Sequence, residues 1–274
     1  MLDCNHILEV LATSFFETLS PTRCIVCDVP GDILCSSCAF HLPFIDFSTA
    51  CPRCGAPYGS MLCTECPVPH SEADKAHPEN RFPFIAARAA LSFEGPAKKI
   101  IRGYKDGNEL RLDTTIASLI CRGMRGRMPP SVALGITRRS PKIPASHATT
   151  LQGDWTEWAD AIVAIPATSA AIRRRGFDHM LRIGALCSAW TGLPLSRSLV
   201  PAARIADQRK LDREQRRENL QDSFMVDFAS ESIPRRIIVI DDVITTGSTT
   251  TAATHALLNA GVEQVAVVAL ARVW

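Results

Sequence analysis

Two adjacent carboxylates, Asp241 and Asp242, stand at the end of the apolar run Ile237 to Ile240, and Thr245, Thr246, Gly247, Ser248 and Thr249 follow them. The run is β-branched and bounded by polar residues, as expected of a strand buried on both faces of a parallel sheet. From Ala252 to Leu258 the apolar pattern is helical. The intervening segment therefore reads as a strand-to-helix turn, with Ser248 or Thr249 as the expected cap. Unpaired N–H groups in such a turn form a seat for a phosphate dianion, and Gly247 supplies the backbone freedom the turn needs. Neighbouring carboxylates cannot bind the phosphate, but they accept hydrogen bonds from two vicinal ribose hydroxyls and help hold a divalent cation. The spacing suits a sugar phosphate; for a lone Gly-Ser-Thr turn, the plainer alternative is a polar turn with no ligand.

The second set of chemistry-bearing residues lies at the other end. Eight of the eleven cysteines form four CxxC units: Cys24 with Cys27, Cys35 with Cys38, Cys51 with Cys54, and Cys63 with Cys66. A CxxC turn brings two thiolates to one tetrahedral ion, and two turns complete a Cys4 site with no open position. Two structural zinc ions are expected, one for each consecutive set of four, with interleaved pairing left open by the spacing. Disulfides are the alternative, but four repeated CxxC units staple a small fold inefficiently. The segment Leu8 to Leu19 is apolar with helical spacing but has Asp3, Glu9 and Glu17 instead of a basic start. It is expected to be a helix packed on the protein, not a secretory signal, and free thiols then point to the reducing cytoplasm. Cys4, Cys121 and Cys187 read as ordinary buried or incidental thiols.

These residues need a scaffold, and 274 residues with 46% hydrophobic content allow one or two domains with a sizeable core. No 18-residue apolar run could span a membrane, so a soluble protein without membrane insertion is expected. Residues 1–70 hold seven acids against Arg23 and Arg53, and since the whole chain is +2 the remainder carries +7. A basic body suits a polyphosphate or nucleic-acid phosphates, whereas the acidic Cys-rich part is unlike basic DNA-gripping zinc modules. Direct single-strand DNA binding is the weaker reading, because aromatics are only 6% and no stacking platform interleaves them with basic residues.

The expected organisation is an N-terminal helix and double zinc ribbon over residues 1–68, a polar, proline-containing linker over 69–84, and a second domain over 85–274. In that domain Ile85 to Phe93 reads as a strand, Pro96 to Tyr104 as a short helix and Leu110 to Met124 as a longer one. Residues 126–157 lose periodicity in a Pro- and Ser/Thr-rich stretch, which is a loop insertion. Ala161 to Ile165 reads as a strand, His179 to Trp190 as a helix, Phe224 to Phe228 as a short strand and Val265 to Leu270 as the last. Strands alternating with helices predict an α/β fold with a parallel sheet.

In order, the chain shows four CxxC units, Ile100-Ile101-Arg102-Gly103-Tyr104-Lys105, a strand ending in Pro166, Arg175-Gly176-Phe177, the charged run Arg213 to Asn219, and the Asp-Asp loop. This order resembles the competence-associated ComF family of phosphoribosyltransferase-fold proteins, over roughly residues 20–272. The Asp-Asp loop alone closely resembles the phosphoribosyl-pyrophosphate signature of type I phosphoribosyltransferases. The resemblance implies a double zinc ribbon joined to a type I phosphoribosyltransferase domain. It places Asp241 and Asp242 on the ribose hydroxyls and Thr245, Thr246, Gly247, Ser248 and Thr249 around the 5′-phosphate. Pro166 and Ala167 stand at the pyrophosphate-binding strand end, where the family usually has two prolines flanking a valine. Arg173, Arg174 and Arg175 follow as pyrophosphate contacts, with a solvated basic loop as the alternative. Arg209, Arg213 and Arg217 fall in the segment 208–219 that corresponds to a mobile hood over the pyrophosphate; an exposed charged helix is the alternative there. Lys98, Lys99 and Lys105 are weaker phosphate candidates.

Two departures stand out. Asp178-His179 replaces the family's usual Asn-Gln, and Thr245 stands where purine-salvage enzymes carry an Asp that accepts a proton, so the acceptor base is not identified. The leading expectation is a magnesium-dependent phosphoribosyltransferase, with Mg2+ and phosphoribosyl pyrophosphate (or ribose 5-phosphate) as ligands and a role in natural transformation or nucleotide metabolism. The alternative is a non-catalytic ligand sensor or adaptor of the DNA-uptake machinery, partnered by a competence protein or single-stranded DNA. The missing base and the altered proline motif favour the sensor, and the basic hood favours turnover.

Overall fold

The computed structural model describes residues 21–58, 63, 66, 82–126, 153–202, 223–228 and 232–274. In chain order the elements are α1 (Ser36–Phe40), β1 (Ala86–Ser92), α2 (Gly95–Lys105), α3 (Leu112–Arg125), β2 (Ala161–Ala164), α4 (Ser169–Arg175), α5 (His179–Thr191), β3 (Leu195–Ser196), β4 (Leu199–Pro201), β5 (Phe224–Val226), β6 (Arg236–Ile244), α6 (Ser248–Asn259) and β7 (Gln264–Arg272). The expected N-terminal helix, residues 69–81 of the expected linker, residues 127–152 of the insertion, the whole hood and Cys4 lie outside the described residues.

Five strands form one sheet in the order β1-β7-β6-β2-β3, and every neighbouring pair is parallel. The α/β expectation holds. Along β6 the side chains alternate between two cores: Ile238 and Ile240 join the one that includes the buried residues of α2, α3 and α5, and Ile237 and Val239 the one that includes those of α6. Val265 and Val267 against Ala266 and Val268 do the same on β7. This period of two is what a strand covered on both faces must show. From β2 the chain steps outward to β3, then returns to β6 on the other side and continues to β7. Connections therefore diverge between β2 and β6, and the carboxyl ends of those two strands border the crevice where open parallel sheets bind ligands.

Three features differ from expectation. Phe224 to Phe228 is not a strand of the main sheet: β5 pairs antiparallel with β4 in a separate two-stranded sheet. Ser169–Arg175 is helical, capped by Thr168, whose hydroxyl accepts from the N–H of Ala171 at 3.2 Å; seven residues are too few for a 3.6-residue period to register. The third is β6 itself, which extends through Asp241 and Asp242 to Ile244.

The Cys-rich region covers the free edge of β1. The N–H of Ile45 donates to the Ala90 carbonyl at 3.0 Å and that of Ser92 to the Pro43 carbonyl at 2.8 Å, with an antiparallel bridge between Phe44 and Leu91. Leu42, Ile45 and Ala50 enter the sheet's cores. An edge with unsatisfied backbone groups is thereby closed.

Candidate functional site

The turn after β6 is fixed from behind and open in front. Arg272, buried at the end of β7, donates to the carbonyls of Ile244, at 3.1 Å, and of Thr245. The Val273 N–H also donates to the Ile244 carbonyl, at 2.9 Å. Gly247 sits at φ +80°, in the left-handed region, and a Cβ there would lie 2.6 Å from a ring carbon of Phe82. Both its conformation and its surroundings therefore require glycine. The helix begins at Ser248 with Gly247 as its cap and no side-chain capping bond. Ser248 and Thr249, expected as caps, are instead its first two residues. Thr246 takes part of the expected role: its Oγ1 accepts from the Ser248 N–H at 3.3 Å and lies 2.7 Å from the Ser248 hydroxyl. Thr245, Thr246 and Thr249 are exposed, Ser248 is half-buried, and the first N–H groups of α6 have no intrahelical carbonyl. Exposed hydroxyls and free N–H groups thus stand together in one short turn, the kinds of donor an oxyanion seat uses.

The acids beside this turn have unlike surroundings. Asp241 is buried, and its Oδ1 accepts from the Asp242 N–H at 2.8 Å. Burial, reinforced by the charge of Asp242, pushes its pKa well above the usual carboxylate range. For Asp242 burial acts the same way, but the hydrogen bond with His179 and the charge of Lys105 outweigh it and hold the pKa below the ordinary value. Burial thus favours the protonated form of Asp241, and its partners favour the charged form of Asp242.

His179, the first residue of α5, places Nε2 2.8 Å from Asp242 Oδ2, and Lys105, the last residue of α2, pairs with the same oxygen. The other imidazole nitrogen, Nδ1, faces NH1 of Arg175 at 3.4 Å. Arginine only donates, so Nδ1 accepts and Nε2 carries the proton given to Asp242. Sequence reasoning missed His179, because no metal or triad spacing marks it; the signal was the Asp178-His179 departure from the family pattern. Asp178 caps α5, with Oδ1 accepting from the N–H groups of Met180 and Leu181 at 3.0 and 3.1 Å, and its Oδ2 accepts from the Ala167 N–H at 3.0 Å.

Pro166 and Ala167 do lie at the carboxyl end of β2, beside Asp241 and Asp242 in the carboxyl-terminal half of β6. As a donor edge this segment is poorer than expected. The Ile165 N–H bonds to the Ile240 carbonyl at 3.0 Å, Pro166 has no N–H, and that of Ala167 is taken by Asp178. Arg175 comes close to the acids through His179, also lies 3.9 Å from Asp106, and has a buried Nε without an acceptor among the described residues. Arg173 and Arg174 are exposed. Lys99 is turned away from the site: its Nζ donates to the Val26 carbonyl at 2.6 Å, and Lys98 lies 5.5 Å from the centre of the Phe93 ring. Lys105 reaches the site as a partner of Asp242 instead of as a free phosphate ligand. Arg209, Arg213 and Arg217 lie outside the described residues.

The cysteines gather as two consecutive sets, Cys24, Cys27, Cys35, Cys38 and Cys51, Cys54, Cys63, Cys66, with the sulfurs of each set within 4.8 Å of one another. The interleaved alternative is thereby removed. Sulfur separations are 3.7 Å for Cys27 and Cys35, 3.7 Å for Cys51 and Cys66, and 3.5 Å for Cys54 and Cys63. A disulfide needs about 2.05 Å. Four thiolates tetrahedrally placed about 2.3 Å from a zinc ion lie about 3.8 Å apart, so both sets could hold zinc. In the second set, hydrogen bonds from Cys54 and Cys66 draw Cys51 down to about 2, while its bond with Cys51 pushes Cys66 far up. Without a cation the four cannot ionise together. Cys121 and Cys187 are buried on α3 and α5 and belong to neither set.

No protein-family model matches the chain. It is 25% identical to competence protein F of Haemophilus influenzae over 258 residues, covering 91% of this chain and 96% of that protein. It is also 24% identical to DNA utilization protein YhgH of Salmonella typhi and of Escherichia coli K12, in each case over 259 residues, 92% of this chain and 97% of the relative. No helix among the described residues is long and apolar enough to cross a membrane.

Proposed function

We propose that this chain acts as a member of the ComF family whose crevice between β2 and β6 binds phosphoribosyl pyrophosphate with magnesium and transfers its 5-phosphoribosyl group. The observation that carries this reading is the junction of two acceptor carboxyls with an open hydroxyl-rich turn at the point where the sheet's connections diverge. Thr245 to Thr249 hold the 5′-phosphate, and Asp241 and Asp242 take the two ribose hydroxyls. Arg175, with an unsatisfied buried Nε, faces the leaving pyrophosphate, and Arg209, Arg213 and Arg217 close over it. The acids offer the hard oxygen donors magnesium prefers, although Lys105 already holds one oxygen of Asp242; Asp241 and the substrate's phosphates would hold the ion, which would supply charge neutralisation for the leaving group. No side chain need act as nucleophile, since the chain's part is positioning and charge stabilisation at C1. Zinc in both Cys4 sets would brace the segment whose residues 43–45 close the edge of β1, in a region spanning residues 1–68 ahead of a transferase domain over 85–274. The names of the relatives support a place in DNA uptake or utilisation, and the unpaired thiols a cytoplasmic one.

One observation favours the sensor reading: with the N–H groups of Ile165 and Ala167 engaged, the pyrophosphate side has few backbone donors. A sensor would hold ribose 5-phosphate as well as the pyrophosphate ester and turn over neither. Magnesium-dependent pyrophosphate release, assayed against a panel of bases and amines, decides between them. Release with one acceptor supports transfer, binding without release supports the sensor, and absence of both refutes the sugar-phosphate site.

A further inference from the structure

Asp242 is gripped by one oxygen only. Lys105 and His179 approach from different helices, yet both engage Oδ2, and no donor to Oδ1 is recorded among the described residues. The His179 side chain is 7% exposed and its second nitrogen faces Arg175, so the imidazole cannot itself touch a ligand. Its backbone is pinned as well. The hydroxyl of the buried Tyr104 donates to the His179 carbonyl at 3.3 Å, so successive residues of α2 fix the histidine and the acid it holds. Asp178 completes the bracket, tying the first turn of α5 to Ala167 at the end of β2. The dipeptide Asp178-His179 thus joins the strand ends on the two sides of the crevice.

We propose that Lys105 and His179 are positioning residues of the sugar site, which clamp Oδ2 of Asp242 and so present Oδ1 as the acceptor for a ribose hydroxyl. A free carboxylate turns easily about its last torsion, with two broad equivalent minima. Two donors from separate rigid elements on one oxygen remove that freedom, and an acceptor fixed before the ligand arrives binds it without the ordering cost. The lysine is therefore built into the site as a clamp instead of as a phosphate ligand. The inference rests on the sugar-phosphate reading of the same crevice and assigns it two residues.

Ribose 5-phosphate and, separately, inorganic phosphate are titrated calorimetrically into the full-length zinc-loaded chain. His179→Ala should lower ribose 5-phosphate affinity about tenfold, the usual scale for losing an outer support of a site. Inorganic phosphate, seated in the Thr245 to Thr249 turn, should bind as in the parent. His179→Gln, whose amide can still donate to Oδ2, should recover most of the loss, and Lys105→Met should weaken ribose 5-phosphate selectively as His179→Ala does. If His179→Ala does not fold, the glutamine and methionine variants carry the comparison. The proposal is overturned if His179→Ala and Lys105→Met bind ribose 5-phosphate as the parent does, or if they lose both ligands equally. A parent that binds inorganic phosphate but not ribose 5-phosphate overturns the sugar-phosphate reading itself, and this inference with it.

Discussion

Substituting Gly247 by alanine tests the phosphate turn at its tightest point. The residue sits at φ +80°, where an L side chain costs roughly 1–2 kcal/mol. The added Cβ would lie 2.6 Å from a Phe82 ring carbon. Phe82 cannot yield freely: its ring stacks on Phe84 with centroids 4.9 Å apart, and its carbonyl accepts from Arg53 at 2.8 Å. Forcing an extra methyl into such packing costs about 1–3 kcal/mol. The two terms together predict a loss of about 2–5 kcal/mol, which for a chain of this size lowers Tm by roughly 4–20 °C. Phosphate binding should be lost with it, because strain and collision both act on the turn. Calorimetric melting of the parent, Gly247→Ala, Phe82→Leu and the double variant separates the terms. The collision term should vanish in the Phe82→Leu background, giving a coupling of about 1–3 kcal/mol, while the backbone term persists. A Gly247→Ala protein that melts within a degree of the parent and still binds phosphate would refute the reasoning.

Further expectations follow from the same residues. Because burial raises the Asp241 pKa, the folded chain holds that proton more tightly than the unfolded one, so stability falls as pH rises from the unfolded value of about 3.9 through the folded one. Asp241→Asn should therefore raise Tm, more at pH 8 than at pH 4, and a lower Tm at pH 8 would contradict the assignment. Metal analysis should find two zinc ions per chain, released on acidification as the thiolates protonate; well under one zinc, or four mapped disulfides, would refute the Cys4 sites. Since Phe82 packs against Cys51, Cys54 and Ala56 and also touches Gly247, chelating the second site should weaken phosphate binding. Replacing Arg209, Arg213 and Arg217 by alanine should depress pyrophosphate release far more than ribose 5-phosphate binding, and an equal loss of both would make the segment structural.

What was legible in the sequence is what is local. The β6 run, its turn and α6 are contiguous, and the four CxxC units announce their chemistry by spacing alone. The pairing of the cysteines needed the sulfur positions, because spacing permits interleaving. His179 contacts an acid 63 residues away through folding, so no short motif could mark it. The antiparallel pairing of β4 with β5 is likewise long-range, and an apolar triplet such as Phe224–Val226 does not reveal which sheet it joins. Arg272 lies just past the apolar run Val265 to Leu270 with nothing local to mark it; only the fold shows that it is buried and anchors the turn's carbonyls. The two residues of β3 lie below any periodicity. The donor-poor end of β2 follows from Asp178 reaching Ala167, a contact across a loop and α4.

The central claim is that Asp241 and Asp242 read the ribose while the Thr245 to Thr249 turn reads the phosphate. Titration of phosphoribosyl pyrophosphate with magnesium into the parent and into the Asp241→Asn, Asp242→Asn double variant tests it most directly, with inorganic phosphate as the paired ligand. The account predicts that the double variant loses most of its affinity for the sugar ester and keeps its affinity for inorganic phosphate. Equal affinity of the two proteins for phosphoribosyl pyrophosphate would contradict it.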